Sequence, residues 1–561
     1  MNTDESHLEK KLPKKEVRRI EEITRNTKSR KPLPGVETGF DEYGPEDSNK
    51  GLSDFTLYAS SLSNKEKHRY HKRTGRMRSF FEDVRFGHRS TIMDDLVSSS
   101  LTATSFKAAG YARATDQEDA SGNSDGSQDR TLVFFNFSGF YVLLWMVIAF
   151  IVLRLSVDYY ITHNGDLSQS EILKFMTTDL VSVALIDLAM YLCIYFVLLV
   201  HLGCKNRWIA WKRTGRYATY AYEVGFLSFF LYVAETVMQF HWVAKIFIFL
   251  HSLVLLMKMH SFALYNGYLW GILEELEFSK KTLARSKDIA MDGSFKEALK
   301  KSCEFCEFEL DLQSTDVHFP ANMTLKNFFE YSVFPTVVYQ IEYPRTERIR
   351  WSYVFEKLCA IFGVIFVMMI IAQFFMYPIA IRAMAVRDAG MPIFWDRIFE
   401  WLYLLLKLVP SFIIMYLLVW YLIWDAILNC IAELTCFGDR YFYGDWWNCV
   451  SWDEFSRQWN VPVHKFLLRH VYHSSISFLQ LNKLQATLMT FLLSSVVHEL
   501  AMYVLFRKLR FYLFILQMAQ LPLIQLGNSR FLKSKKVLGN AIFWLGICTG
   551  PSLMCTLYLT F

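Results

Sequence analysis

Apolar residues in this chain gather into long runs, and polar stretches separate them. Each run is of the ~20 residues that a helix needs to cross a bilayer. Hydrocarbon offers the backbone no hydrogen-bond partners, so every such run is read as a helix. Nine spans are predicted, near 133–156, 174–202, 218–238, 243–270, 353–378, 398–423, 478–505, 511–527 and 538–560. The expected fold is therefore an all-α, multi-pass membrane bundle. It forms one domain over 131–561, behind a polar N-terminal region, 1–130, whose composition cannot bury a core and predicts disorder. Within that region the segment 79–97 differs. It mixes Phe80, Phe81, Phe86, Ile92, Leu96 and Val97 with charges, and is a candidate for docking on a folded surface. Two polar intervals, about 272–350 and 433–475, interrupt the spans.

Lys and Arg orient the bundle. The loop after the second span, CKNRWIAWKRTGR, is basic, and the connection before it is nearly free of Lys and Arg. The N-terminus is thus expected in the cytosol and, with an odd span count, Phe561 on the far side. Arg382, Arg387 and RKLR at 507–510 run against this rule. No apolar signal-peptide core opens the sequence, so cleavage is not expected.

Composition adds little. The 561 residues are 53% hydrophobic and 16% aromatic, and the formal charge of +6 is too small to point to a partner. Cys303 and Cys306 form a C-x-x-C with no second pair nearby, which favours packing thiols over zinc.

Candidate chemistry lies in three places. His498 sits in TFLLSSVVHELAMYVLF, where an ionisable group is costly and faces a cavity or the bundle interior; a plain bond to a neighbouring helix is the bland alternative. HELAM is not a zinc-protease motif, because Met502 stands where the second His belongs. Ser494, one turn earlier, shares the face of His498 and either fixes the ring's tautomer or bonds its own backbone. In FYGDWWN, an interfacial aromatic belt accounts for Trp446 and Trp447 but poorly for Asp445 and Asn448. In SRQWNVPVHKF, Asn460 is either an oxyanion donor or a cap before Pro462.

FYGDWWN, WNVPVH and SSVVHE resemble the sterol O-acyltransferases of the membrane-bound O-acyltransferase superfamily. MKMHSFALYNGYLW at 257–270 and FPTVVYQIEYPRTERIRW at 334–351 look like further blocks of it, and the similarity spans about 130–561. The stretch DRYFYGDWWNCVSWDEFSRQWNVPVHKFLLRHVYHSS is most similar to the fungal enzymes; FYGDWWN alone is less specific, since diacylglycerol acyltransferases carry a similar block. The resemblance implies transfer of a long-chain acyl group from acyl-CoA to the 3-hydroxyl of a sterol, ergosterol or its precursors. His498 matches the catalytic histidine and Asn460 its catalytic partner, with Trp459 and Ser494 in support. Phe442, Tyr443, Asp445, Trp446, Trp447, Asn448, Arg457, His464, Tyr472 and Lys483 match positions that hold acyl-CoA. Glu454 departs from the Asn of mammalian relatives, so contacts to the CoA head are expected to differ. The resemblance further implies a homodimer or pair of dimers in the endoplasmic reticulum membrane, with the C-terminus lumenal. Acyl-CoA is a substrate; no cofactor, metal or nucleic acid is expected. The alternatives are a diacylglycerol acyltransferase and, from another class, a transporter with His498 as proton relay. No inverted repeat or matched pair of Gly/Pro-broken helices supports the transporter.

Overall fold

The architecture comes from a computed structural model that describes residues 138–561 apart from 167–168, 286–292, 315, 391–394, 528 and 530–534. The N-terminal region, including the candidate docking segment 79–97, lies outside the described residues. The described chain is helical, and no β-pairing forms in it beyond one antiparallel bridge between Arg345 and Phe437.

The helices are α1 (Ser138–Thr162), α2 (Glu171–Thr177), α3 (Leu180–Cys193), α4 (Phe196–Lys205), α5 (Arg216–Tyr232), α6 (Trp242–Arg285), α7 (Gly293–Leu312) and α8 (Leu325–Val333). After them come α9 (Trp351–Ile371), α10 (Tyr377–Asp388), α11 (Trp395–Trp420) and α12 (Leu428–Leu434). The last third holds α13 (Trp452–Gln458), α14 (Val461–Leu467), α15 (His473–Phe478), α16 (Lys483–Phe506), α17 (Tyr512–Met518), α18 (Gln520–Gly527) and α19 (Lys536–Thr560).

Six stretches among the described residues are long and apolar enough to cross a membrane: Glu171–Lys205, Trp242–Ala284, Trp351–Asp388, Trp395–Leu434, Lys483–Phe506 and Val537–Thr560. They account for six of the nine expected spans. The first expected span falls on α1. The third becomes the 17-residue α5 followed by a π turn, Val233–Val237. The eighth becomes two short helices, α17 and α18, since Ala519 interrupts the run.

The spine is α6. Its 44 residues extend about 66 Å at 1.5 Å per residue, twice the hydrocarbon thickness, so it continues well past the membrane. It packs against α3, α4, α5, α7 and α16. The largest core surrounds its C-terminal half, where Phe262, Tyr265 and Trp270 meet Phe319, Tyr331 and Tyr339. Cys303 and Cys306 are buried in the same cluster. Gly267 is obligatory there, because a Cβ would lie 2.1 Å from the indole of Trp211.

The two polar intervals are tied to each other. Gly438 N–H donates to Pro344 O at 2.8 Å and Thr346 N–H to Cys436 O at 3.0 Å. The buried carboxylate of Glu433 takes Arg350 through its backbone N–H and guanidinium, and Arg440 at 2.6 Å. The basic residues that oppose the charge rule are also partnered. Arg382 pairs with Glu400 at 2.7 Å, Arg387 with Asp388 at 2.9 Å and Arg507 with Glu235, while Arg510 donates to the carbonyl of Phe561. Local pairing gives these four a structural reason to be where they are.

Gly267→Ala is expected to cost about 1–3 kcal/mol through overpacking against Trp211. A melting curve in detergent should shift down; an unshifted one would mean that α6 and Trp211 part freely.

Candidate active site

The site is built from two groups of residues on neighbouring elements. The first is an aromatic box. Tyr416, Trp420 and Trp424 stand four residues apart along α11 and the π turn Tyr421–Ile427 that follows, hence on one face. Trp459 stacks on Tyr416 with centroids 4.8 Å apart and meets Trp446 edge-on at 4.9 Å and Trp424 at 5.1 Å. Backbone bonds lock FYGDWWN to the stretch bearing Trp459 and Asn460: Gly444 N–H to Gln458 O at 2.8 Å and Val461 N–H to Phe442 O at 3.1 Å. Phe442 and Trp446 are buried, whereas Asp445, Trp447 and Asn448 form an exposed rim. The carbonyl of Trp447 accepts from Asn540 and from the indole of Trp544, both at 3.1 Å, which pins the rim to α19. Tyr443 donates to Asp425 at 3.3 Å, and the same carboxylate holds Lys357 of α9 at 2.6 Å.

Asn460 is the N-cap of α14. Its Oδ1 accepts from Val463 N–H at 3.2 Å, which orients the amide and leaves Nδ2 as the remaining donor. His464, one turn on, is half-buried; burial, with Arg457 and Lys465 nearby, pushes its pKa down to about 4. The imidazole is therefore neutral at ordinary pH. Arg457 is exposed and bonds Asp453 at 2.5 Å. Glu454 has a local task that the sequence reading missed. Ser451 accepts from its N–H at 3.3 Å, and its carboxylate accepts from Val450 N–H at 2.9 Å. The S-x-x-E signal of a capping box was present in SWDE.

The second group lies on α16. The Nδ1 of His498 is 2.7 Å from the main-chain carbonyl of Ser494. A carbonyl only accepts, so Nδ1 carries the proton and Nε2 presents its lone pair. The ring faces open space. Ser494 thus sets the tautomer through its backbone, so the residue type at that position is not what fixes it.

Glu499 points the other way and is buried. It accepts from Phe511 N–H at 2.7 Å, Arg510 N–H at 3.3 Å, Phe514 N–H at 3.1 Å and Tyr558 Oη at 2.8 Å. These bonds tie α16 to the start of α17 and to α19, and so fix which face His498 presents. A second charge inside the apolar run was the available signal.

No hydrogen bond joins Asn460 to His498 among the described residues. A π turn, Leu468–Tyr472, relates the groups: it continues α14 and packs against α16. Arg469 donates to Tyr339 O at 3.1 Å, and the ring of His470 contacts Ser261 of α6 at 2.9 Å. The turn is therefore clamped to the spine. Tyr472, at its end, is half-buried, and burial raises its phenol pKa. Lys483 is exposed at the first turn of α16, about 22 Å along the axis from His498 at 1.5 Å per residue.

An all-helical bundle of long apolar helices, one of them carrying a titratable histidine, is the architecture of a multi-pass membrane protein. Residues 137–560 match the membrane-bound O-acyltransferase family, and the chain belongs to that family. It is 54% identical over 546 residues to sterol O-acyltransferase 2 of Saccharomyces cerevisiae, covering 90% of this chain and 85% of that one. It is 46% identical over 523 residues to sterol O-acyltransferase 1 of the same yeast, again covering 90% and 85%. Diacylglycerol O-acyltransferase 1C of Glycine max is 34% identical over 246 residues, covering 43% of this chain and 46% of that protein.

Asn460 offers a clean separation of its two readings. Asn460→Asp keeps the cap and removes the amide donor. If the donor stabilises an oxyanion, turnover should fall ~10²-fold at normal protein abundance. If Asn460 is only a cap, the Asp variant should behave as the native chain and Asn460→Ala should lose about 1 kcal/mol.

Proposed function

We propose that this protein is an acyl-CoA:sterol O-acyltransferase that uses His498 as general base. The carrying observation is the ring of His498, bound through Nδ1 to the Ser494 carbonyl with Nε2 left to take a proton. The relatives named as sterol O-acyltransferases, matched along nine-tenths of the chain, support the acceptor class.

The sterol hydroxyl gives its proton to Nε2 of His498 while its oxygen attacks the thioester carbonyl carbon. The negative charge on the carbonyl oxygen is met by a donor, for which Nδ2 of Asn460 is the candidate. Collapse breaks the C–S bond, and the departing CoA thiolate recovers the proton from the imidazolium. Neither a covalent acyl-enzyme nor net proton release is required.

The layout suits an acyl donor charged at one end and apolar at the other. Lys483 and the rim of Asp445 and Asn448 are exposed, as the CoA head requires, while His498 lies deep along α16. Trp446 is buried and Trp459 partly buried in an aromatic cluster beside that rim, which offers apolar surface next to the exposed polar groups. Arg457, His464 and Tyr472 complete this reading of the acyl-CoA path. A diacylglycerol acceptor is the second reading, favoured by the match to the soybean enzyme, which covers less than half of the chain. We further assign the protein to the endoplasmic reticulum membrane as a homodimer or pair of dimers, crossing nine times. The short helices α17 and α18 together would supply one crossing, and the N-terminus would be cytosolic.

Purified protein given labelled acyl-CoA should esterify sterol in preference to diacylglycerol, and His498→Ala should remove ester formation from a chain that still inserts and melts normally. Diacylglycerol as the better acceptor, or near-normal turnover by the variant, would overturn the assignment or the base respectively. In sealed microsomes a tag before Met1 should be cut by added protease and one after Phe561 protected; cutting of both would mean an even number of crossings.

A further inference from the structure

Lys357 and Asp425 are mostly buried in their pair, and Glu499 is buried among four donors. A pair near the middle of a span is more open. His251 of α6 donates from Nδ1 to the carboxylate of Asp187 on α3, yet the two side chains remain 34% and 27% exposed. Their neighbours along the same helices, Leu185, Leu188, Phe247 and Leu250, are exposed apolar residues of the kind that face lipid. Asp187 stands near the middle of its span, sixteen residues from Glu171 and eighteen from Lys205.

The chemistry of the pair is specific. An ionised carboxylate only accepts, so Asp187 holds the proton of His251 on Nδ1 and leaves Nε2 a bare acceptor. No described group bonds that nitrogen, and it is not sealed from the surroundings. An acceptor backed by a carboxylate and open to hydrocarbon is costly unless a donor comes to it. Acyl chains carry no donor, and a charged or zwitterionic headgroup does not sink to this depth. What remains is a neutral lipid with one free hydroxyl.

We propose that Asp187 and His251 form a docking site for the hydroxyl of a neutral membrane lipid, the sterol acceptor, before it reaches His498. The proposal rests on the sterol acyltransferase reading for the identity of that lipid. The fold supplies the continuation. α6 carries His251 and also packs against α16, the helix of His498, so a lipid held at the dyad already lies on a helix that adjoins the catalytic one. Asp187 and His251 hold the acceptor and take no part in the chemical step.

The test uses the full chain in nanodiscs with a photoreactive sterol carrying a diazirine and an alkyne, and in parallel a photoreactive diacylglycerol. Irradiation should label peptides from α3 or the N-terminal part of α6 with the sterol probe. In His251→Leu that labelling should fall about three- to tenfold, the worth of one hydrogen bond, and the KM for sterol should rise by the same factor. Turnover at saturating sterol and the KM for acyl-CoA should stay as in the native chain. His251→Gln, which restores an acceptor, should recover part of the loss, and Asp187→Asn should weaken labelling without altering melting. Unchanged labelling and KM in the Leu variant would overturn the site. So would a defect confined to dimer size in detergent, since the pair would then face a partner copy. Loss of turnover at saturating sterol would also overturn it. Preferential labelling by the diacylglycerol probe would reject the sterol as occupant. A native chain that labels at the dyad but makes no sterol ester leaves the site standing and removes the proposed acceptor.

Discussion

Hydrocarbon supplies no hydrogen-bond partners, and this constraint governs where every polar group of the bundle goes. Lys357 finds Asp425, Lys245 finds Glu235, and Glu499 gathers three backbone N–H groups and a tyrosine. In each case the partners belong to different helices. The pairs therefore act as register marks that set how the helices are rotated and how far they slide, a task that apolar packing in lipid performs weakly because lipid tails are as apolar as leucine. Breaking such a pair by removing one member leaves a charge without a partner in low dielectric, which is costlier than never having had the pair.

The candidate site inherits its geometry from these marks. Asp425 sits in the π turn that ends α11 and draws Tyr443 and Lys357 together, so the FYGDWWN loop is positioned from within the membrane as well as from the polar side. Glu499 fixes the rotation of α16 by its bonds to the start of α17, and His498, its neighbour in sequence, is thereby set about 100° round the helix on an exposed face. The π turn Leu468–Tyr472 carries Arg469 and His470 to α6. Widened turns of this kind recur at functional positions because they re-aim side chains without breaking a helix.

The blocks MKMHSFALYNGYLW, FPTVVYQIEYPRTERIRW and the stretch after FYGDWWN are far apart in the chain, yet they share one interface. Ser261 of the first accepts from the backbone N–H of Tyr339 in the second at 2.8 Å and contacts His470 of the third. Arg350 of the second block and Arg440, just before FYGDWWN, share Glu433. The polar intervals thus form a folded layer on the bundle, held by charge-assisted bonds.

The sequence by itself determined that the chain crosses a membrane several times as helices, because the length of an apolar run and the absence of backbone partners in lipid are local facts. It also marked His498 and Asn460, because a titratable group in an apolar helix and an Asn before a proline stand out at sight. Where an apolar run divides into short helices, as between Met518 and Gln520, the local signal is Pro522, which has no N–H to donate to the carbonyl of Met518 four residues earlier. Only the tertiary structure decided which way His498 faces, that Ser494 acts through its carbonyl, that Glu454 caps α13, and that Tyr416, Trp420 and Trp424 wall the box around Trp459. Each depends on the rotation of one helix against another. That rotation is set by pairs such as Asp425 with Lys357, whose members lie 68 residues apart and carry no mark of their partnership in the chain.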